Sequence, residues 1–375
     1  MNRKKIVLIG PVYPYKGGIS HYTGLMYREL VKKHDVTLVS YKMQYPKILF
    51  KKEQRDYSND TFKIEETNYW INTANPFNII HYAQKIKKMM PDLVIFQWWH
   101  PYFAPCYWIM KKVLKNIKVV YICHNVFPHE RFPFDRRLTK LALSKAYGYV
   151  VQSKMDGEDL REIQNNPNYI FTPHPTYDTF KMSNIDKVAA RELLTIENSK
   201  KVLLFFGFVR EYKGLKHLLN ALPQIASQIK DIQLLVVGDF GEDRENYMEL
   251  IKQLKIGKYV QIVEGYVPDD EVEKYFVAAD LVVLPYESAT QSGIVQIAYG
   301  FEKPVVVTSV GGLPDVVKDK KTGMVVEPKK PEAIAEAVVQ FFTHEEADQY
   351  VNNIKKEAYR FSWQRMGEVL EEFLK

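Results

Sequence analysis

Apolar residues in this chain fall into short β-branched runs separated by amphipathic stretches of helical period, and this alternation recurs along its length. Residues 4–9 (KIVLIG), 36–41 (VTLVSY), 93–98, 119–123, 149–152 and 169–171 read as strands. Helical spacing predicts helices over about 19–33, 76–90, 104–116 and 134–147, with a shorter one before residue 169. Residues 42–75 are polar, basic and aromatic without a clear period, and read as an irregular excursion. A mixed stretch follows at 172–199, with a short helix near 187–194. The alternation then restarts with strands at 201–206, 233–237, 260–263, 281–284, 304–308 and 323–326. Helices are expected at 214–229, 244–255, 269–278, 331–342, 345–360 and 363–374, and one between residues 293 and 304. Strands alternating with helices imply parallel sheets joined by right-handed crossovers. The expected fold class is therefore α/β, two Rossmann-like domains facing each other across a cleft. Their bounds are set at 1–180 and 181–360, with a C-terminal helix at 361–375.

Composition narrows the function. A chain of 375 residues with 46% hydrophobic and 26% charged content is that of a globular protein. Cys106 and Cys123 are the only cysteines, which argues against a disulfide scaffold or thiolate metal site and fits a reducing cytosol. No apolar run reaches the roughly 20 residues of a membrane span, since Gln97, His100, Pro101 and Pro105 interrupt the nearest one. A cytoplasmic location is expected. The net charge of +7 is unevenly spread: residues 1–175 hold 27 Lys and Arg against 14 Asp and Glu, while residues 176–375 hold 25 against 31. The basic first half suits a phosphorylated acceptor or the anionic inner face of a membrane, as well as a plain solvated surface. No nucleic-acid-binding motif accompanies it.

The chemistry-bearing residues gather where strand ends meet helix starts, the edge at which open parallel sheets bind ligands. The first strand runs into GPVYPYKGG, which opens a helix and points backbone N–H groups toward an anion. It is neither a Walker loop nor a GxGxxG fingerprint. In the second half, Arg210 and Lys213 follow the strand 201–206. Thr290, Gln291, Ser292 and Gly293 in ESATQSG precede a helix, and a Gly-Gly turn occupies Gly311 and Gly312.

GPVYPYKGGIS, FFGFVREYKGLKHLLNAL, VEGYVPDDEVEKYFVAADLVVLPYESATQSG and KPVVVTSVGGLPDVVKDKKTG occur in this order. Together they resemble the retaining glycosyltransferases of the group-one class, family four, which have the GT-B fold. The resemblance covers nearly the whole chain and is weakest at 42–75. It implies a sugar transferred from a nucleotide diphosphate sugar to a glycan or lipid-linked acceptor, with the sugar's configuration retained and no metal or other cofactor needed. Attack comes from the face that the diphosphate leaves, so no separate protein base is required.

By that resemblance Arg210 and Lys213 stabilise charge growing on the departing diphosphate. This Arg stands three residues before the Lys, whereas many relatives have it where this chain has Phe208. Gly17 and Gly18 allow close backbone approach to the same diphosphate, and His124 contacts the donor sugar. Glu287, the fourth expected catalytic residue beside His124, Arg210 and Lys213, binds sugar hydroxyls. The family's second glutamate is missing, and Gln296, the nearest residue, is assigned to the ribose. Thr290 and Gln291 face the sugar, Ser292 and Gly293 the diphosphate, and the backbone at Tyr266 and Val267 the base. His21 and His100 fall on the acceptor side. Asp269 and Asp270 read as helix caps rather than as a metal pair. The last helix is expected to cross back onto the first domain. Bacterial relatives build lipid-linked or cell-surface glycans, which makes peripheral membrane attachment an expectation too. Two other functions fit the architecture: a nucleotide-sugar epimerase, turning over without acceptor, and a non-enzymatic two-domain sugar-binding protein.

Overall fold

The computed structural model describes residues 3–50, 53–57, 60, 62–128, 133–344 and 347–375. Packing divides the chain into two compact units, residues 1–173 with 362–375, and residues 174–361. The sequence pattern drew the division near 180. The connecting segment joins the second unit earlier because the Thr176 amide donates to the Phe361 carbonyl at 2.8 Å.

The first unit runs β1 (Lys5–Ile9), α1 (Gly18–Leu30), β2 (Asp35–Met43), β3 (Asn68–Asn72), α2 (Pro76–Lys88), β4 (Leu93–Trp98), α3 (Ala104–Val113), β5 (Val119–Cys123), α4 (Asp135–Leu143), β6 (Gly148–Val151), α5 (Lys154–Ile163) and β7 (Tyr169–Phe171). All seven strands pair in parallel, in the order β3-β2-β1-β4-β5-β6-β7. Alternate residues of β1 serve opposite faces. Val7 and Ile9 join a core with Phe96, Trp98, Phe103 and Tyr107, while Ile6 and Leu8 join another with Tyr22 and Met26 of α1. Burial on both faces explains why β1 reads as an unbroken apolar run.

The excursion expected over 42–75 is corrected at one place. Residues 68–72 form β3, an edge strand whose pairing with β2 shifts register beside Ser40 and Tyr41. Those shifts break the period-two pattern that would mark it in the sequence.

The second unit runs α6 (Lys187–Leu193), β8 (Lys201–Phe206), α7 (Leu215–Gln228), β9 (Ile232–Gly238), α8 (Arg244–Gln253), β10 (Val260–Glu264), α9 (Val272–Ala278), β11 (Leu281–Leu284), α10 (Gly293–Gly300), β12 (Val305–Thr308), α11 (Leu313–Val316), β13 (Gly323–Val326), α12 (Pro331–Thr343) and α13 (Ala347–Glu357). Its six parallel strands lie in the order β10-β9-β8-β11-β12-β13. Leu218, Leu222 and Ile225 of α7 and Ile334, Val338 and Phe341 of α12 share one core with Leu203, Phe205 and Val283 of the sheet. The capping role read for Asp269 and Asp270 does not hold: with Glu271 they form a short 3-10 turn ahead of α9, whose N-cap position falls on Glu271 without a side-chain cap.

The final helix, α14 (Trp363–Glu372), belongs to the first unit. Ser362 caps it, its hydroxyl accepting from the Arg365 amide. Met366, Val369, Leu370 and the following Phe373 complete the α1-side core. Among the described residues no helix is long and apolar enough to cross a membrane.

Candidate functional site

In the second unit the strand order reverses between β8 and β11, so the connections leaving these neighbours diverge, and a ligand crevice belongs at their carboxyl ends. The loop after β8 carries Arg210 and Lys213. Residues 211–213 make a 3-10 turn that ends at Gly214 with φ 66°. A Cβ at 214 would lie 2.0 Å from the Pro285 carbonyl oxygen, so glycine lets this loop press on the one after β11. The Glu287 amide, donating to the Tyr212 carbonyl at 2.6 Å, holds the two loops together.

Lys213 turns back over the strand end. Its Nζ lies 3.3 Å from the point a Gly207 Cβ would occupy, and the Ile294 side chain lies 3.6 Å from that same point. The amine therefore sits beside the first turn of α10, 5.7 Å from the centre of the Tyr286 ring. Burial pushes the Lys213 amine below its ordinary pKa, and the charge of Arg210 acts in the same direction. Arg210 donates from Nη1 to the Val209 carbonyl at 2.9 Å and lies 5.5 Å from the centre of the Phe208 ring. Neither cation forms an ion pair among the described residues. A secluded cation without a counter-charge is costly, and an anion in the crevice would remove that cost.

The adjoining loop supplies donors of another kind. Ser292 caps α10, its Oγ accepting from the Ile294 amide at 3.2 Å, with the Tyr286 hydroxyl 3.3 Å away. The leading N–H groups of α10 have no earlier turn to bond to, and the helix dipole adds positive potential there. The loop is pinned from behind. Thr308 Oγ1 donates to the Tyr286 carbonyl at 2.6 Å, and the Gly312 amide donates to the Thr290 carbonyl at 2.7 Å. Thr290 and Ser292 are buried, Gln291 is half-buried and Gly293 is exposed.

Glu287 is engaged within its own unit. Its Oε1 lies 2.8 Å from His217 Nε2 and 3.0 Å from Lys216 Nζ, and its Oε2 lies 3.0 Å from Lys329 Nζ. Burial alone would raise this carboxyl, but hydrogen bonds from Lys329, Lys216 and His217 outweigh it and hold the pKa at about 2. The sequence reading missed these three partners. Lys216 and His217 stand only three and four residues beyond Lys213, at the start of α7, yet nothing in the sequence shows that α7 turns them toward residue 287. Gln296 is 1% exposed and its Oε1 has no hydrogen-bond partner, so its side chain has almost no surface to offer a ribose in this conformation. Tyr266 is exposed, and Val267 is half-buried, in the connection after the edge strand β10.

In the first unit, Gly17 occupies the N-cap position of α1 at φ 107°, and nothing lies within 4 Å of the Cβ it lacks. Gly18 opens the helix. His124 follows β5, with Nε2 2.7 Å from Gln97 Oε1 and its ring edge-on to Tyr22 of α1 at 4.7 Å. It is 9% exposed. The helix that begins at the glycines and the histidine thus meet at one sheet edge. His21 stacks on Phe62 at 4.2 Å. His100 Nδ1 accepts from the Tyr102 amide at 3.1 Å, capping the 3-10 turn 101–103, and burial lowers its pKa. Among the described residues no group of three or more His, Cys, Asp or Glu is placed to hold a metal.

These features define an α/β protein of two units, each built on a parallel sheet, with Lys213 and the start of α10 brought together where the second sheet's strand order reverses. A family model described as "Glycosyl transferases group 1" matches residues 186–360, and one described as "Glycosyltransferase Family 4" matches residues 16–179. The chain belongs to the group 1, family 4 glycosyltransferases, and its fold is GT-B. It is 32% identical over 186 residues to an uncharacterized glycosyltransferase of Methanocaldococcus jannaschii, covering 48% of this chain and 46% of the relative. It is 29% identical over 209 residues to a D-inositol 3-phosphate glycosyltransferase of Segniliparus rotundus, covering 55% and 46%. The matched stretch thus spans under half the length of each of these curated relatives. Anabaena HepE, solved in complex with UDP-glucose, is similar over 99% of both chains, with a TM-score of 0.76 at 18% identity.

Proposed function

We propose that the protein transfers a sugar from a nucleotide diphosphate sugar to a glycan or lipid-linked acceptor. The observation that carries this reading is Lys213, secluded beside the first turn of α10, with Arg210 in the same loop; neither cation has an ion-pair partner among the described residues. Cleavage of the donor leaves growing charge on the diphosphate, and fixed cations with backbone N–H groups stabilise it without reorganising. Family membership and the UDP-glucose bound by the HepE neighbour support a nucleotide-sugar donor. The transferred group is a hexose or N-acetylhexosamine. Its configuration is retained, because the departing diphosphate oxygen takes the acceptor's proton on the face of attack. No metal takes part. Glu287 and His124 would orient the sugar, although in this conformation each already has a partner within its own unit. The setting is cell-surface polysaccharide synthesis at the cytoplasmic face of a membrane.

Incubation with UDP- and GDP-sugars and a lipid-linked acceptor tests the reading. The expected result is acceptor-dependent release of nucleotide diphosphate that falls at least about a hundredfold in Lys213→Ala, the scale of losing one such stabilising donor. Full turnover by Lys213→Ala would remove the diphosphate role, and turnover without acceptor would indicate an epimerase.

A further inference from the structure

Gln97 is a polar residue in a place built for an apolar one. Every residue of β4 is buried, and Gln97, near the carboxyl end, is 0% exposed. Leu93 and Ile95 belong to the core on the α1 side, and strand alternation puts Gln97 on that same face. The side chain is wedged there. A Cβ on Gly10, just after β1, would lie 2.5 Å from Gln97 Cγ and 2.8 Å from Thr23 Oγ1 of α1, so the amide has little room to swing.

This amide is half used. Its Oε1 lies 2.7 Å from His124 Nε2, while its own Nε2 has no hydrogen-bond partner among the described residues. A buried donor left unpaired weighs against stability and calls for an explanation at the site. Methionine would fill the same face without that cost. What the amide adds is an oxygen set against the imidazole. The histidine is otherwise well fixed. Its ring meets Tyr22 edge-on at 4.7 Å, and the Tyr22 hydroxyl accepts from Gln152 Nε2, just after β6, at 3.0 Å. The loop that carries it is clamped at Val126, whose amide donates to Asp156 Oδ1 at 2.8 Å and whose carbonyl accepts from Trp98 Nε1 at 3.2 Å. With ring and loop held, the remaining variable is which ring nitrogen bears the proton. An amide oxygen can only accept, so Nε2 donates to it, and in the neutral imidazole Nδ1 then keeps the lone pair.

We propose that Gln97 is a positioning residue: its side-chain oxygen holds His124 as the Nε2-protonated tautomer, so that the neutral ring meets a hydroxyl of the donor sugar as an acceptor at Nδ1. The inference deepens the transferase reading and rests on it for the sugar contact alone, since the tautomer is measured without substrate.

Nitrogen NMR on the whole protein, labelled with 15N-histidine, reads the tautomer at about pH 8, above the ordinary histidine pKa. The His124 signals are those lost in His124→Asn. The wild type should carry the ring proton on Nε2. Gln97→Glu leaves an oxygen in place and should keep that tautomer, whereas Gln97→Met, of similar volume but without an acceptor, should give a mixture of both. Circular dichroism checks that each variant folds, and the wild-type spectrum is decisive even if one does not. Calorimetry gives the second readout. A UDP- or GDP-sugar that binds the wild type should bind Gln97→Met about threefold to tenfold more weakly, the scale of one hydrogen bond. Bare UDP or GDP should bind as before, whereas a merely structural role would weaken both alike. A proton on Nδ1 in the wild type, or a tautomer that Gln97→Met leaves unchanged, would overturn the proposal. So would sugar-nucleotide affinity that does not fall, or that falls equally with the bare nucleotide. If no sugar nucleotide binds the wild type, the transferase reading fails, and the NMR spectra still decide whether Gln97 sets the tautomer.

Discussion

Lys213 and Glu287 carry opposite charges in adjoining loops and stand in opposite circumstances. The amine has no counter-ion among the described residues, while the carboxylate has two, Lys216 and Lys329, and a hydrogen-bond partner in His217. This makes Glu287 a clamp joining α7, the loop after β11 and the loop after β13, with a measurable pH signature. Its folded pKa is depressed, to about 2, so its contribution to stability is complete above the ordinary carboxylate value and is lost as pH falls toward 2. Glu287→Gln should cost about 2 kcal/mol at pH 7, the scale of hydrogen bonds to a charged group. In urea titrations the gap between wild type and variant should shrink between pH 4.5 and 2; a gap independent of pH would show that the charge contributes nothing. The sequence showed which residue types stood in these loops. It did not show which were already paired, because Lys216, His217 and Lys329 reach residue 287 through folding alone.

At the level of elements, the site depends on loops that touch backbone to backbone. Gly311, at φ 50°, shows this most sharply: a Cβ there would lie 1.5 Å from the Ala289 carbonyl oxygen and 3.2 Å from Thr290 Cα. Gly311→Ala must push the loop after β11 away from the one after β12. It should lower stability by more than about 2 kcal/mol, combining left-handed strain with overpacking. It should also weaken nucleotide diphosphate binding, because Ser292 and the start of α10 move with that loop. Unchanged stability and affinity, by denaturation and calorimetry, would contradict the packing described. Most strands were legible because burial on both faces makes them continuous apolar runs. β3 was not, being a short edge strand with shifted register, and neither was α11, whose four residues are too few to show a period. The stretch 269–278 read as one helix, whereas a 3-10 turn and the shorter α9 share it.

Across the whole molecule, chain order and packing part company at the end. α14 is last in sequence yet supplies Met366, Val369 and Leu370 to the core beneath β1. Its amphipathic pattern showed a buried face, but only the family resemblance pointed to where that face would pack. Leu370→Ala should cost about 2–5 kcal/mol through the cavity it opens. Unchanged stability in denaturant titrations would contradict this account of α14. The central claim concerns the second unit, where Arg210 and Lys213 are proposed to hold the donor's diphosphate. Isothermal titration of UDP and GDP in the presence of a chelator, on wild type and on Arg210→Ala with Lys213→Ala, tests it most directly. The account predicts that at least one nucleotide binds the wild type and that the double substitution weakens it by about a hundredfold or more, as two charge-assisted hydrogen bonds imply. Binding that survives both substitutions, or no binding of either nucleotide to the wild type, would contradict it.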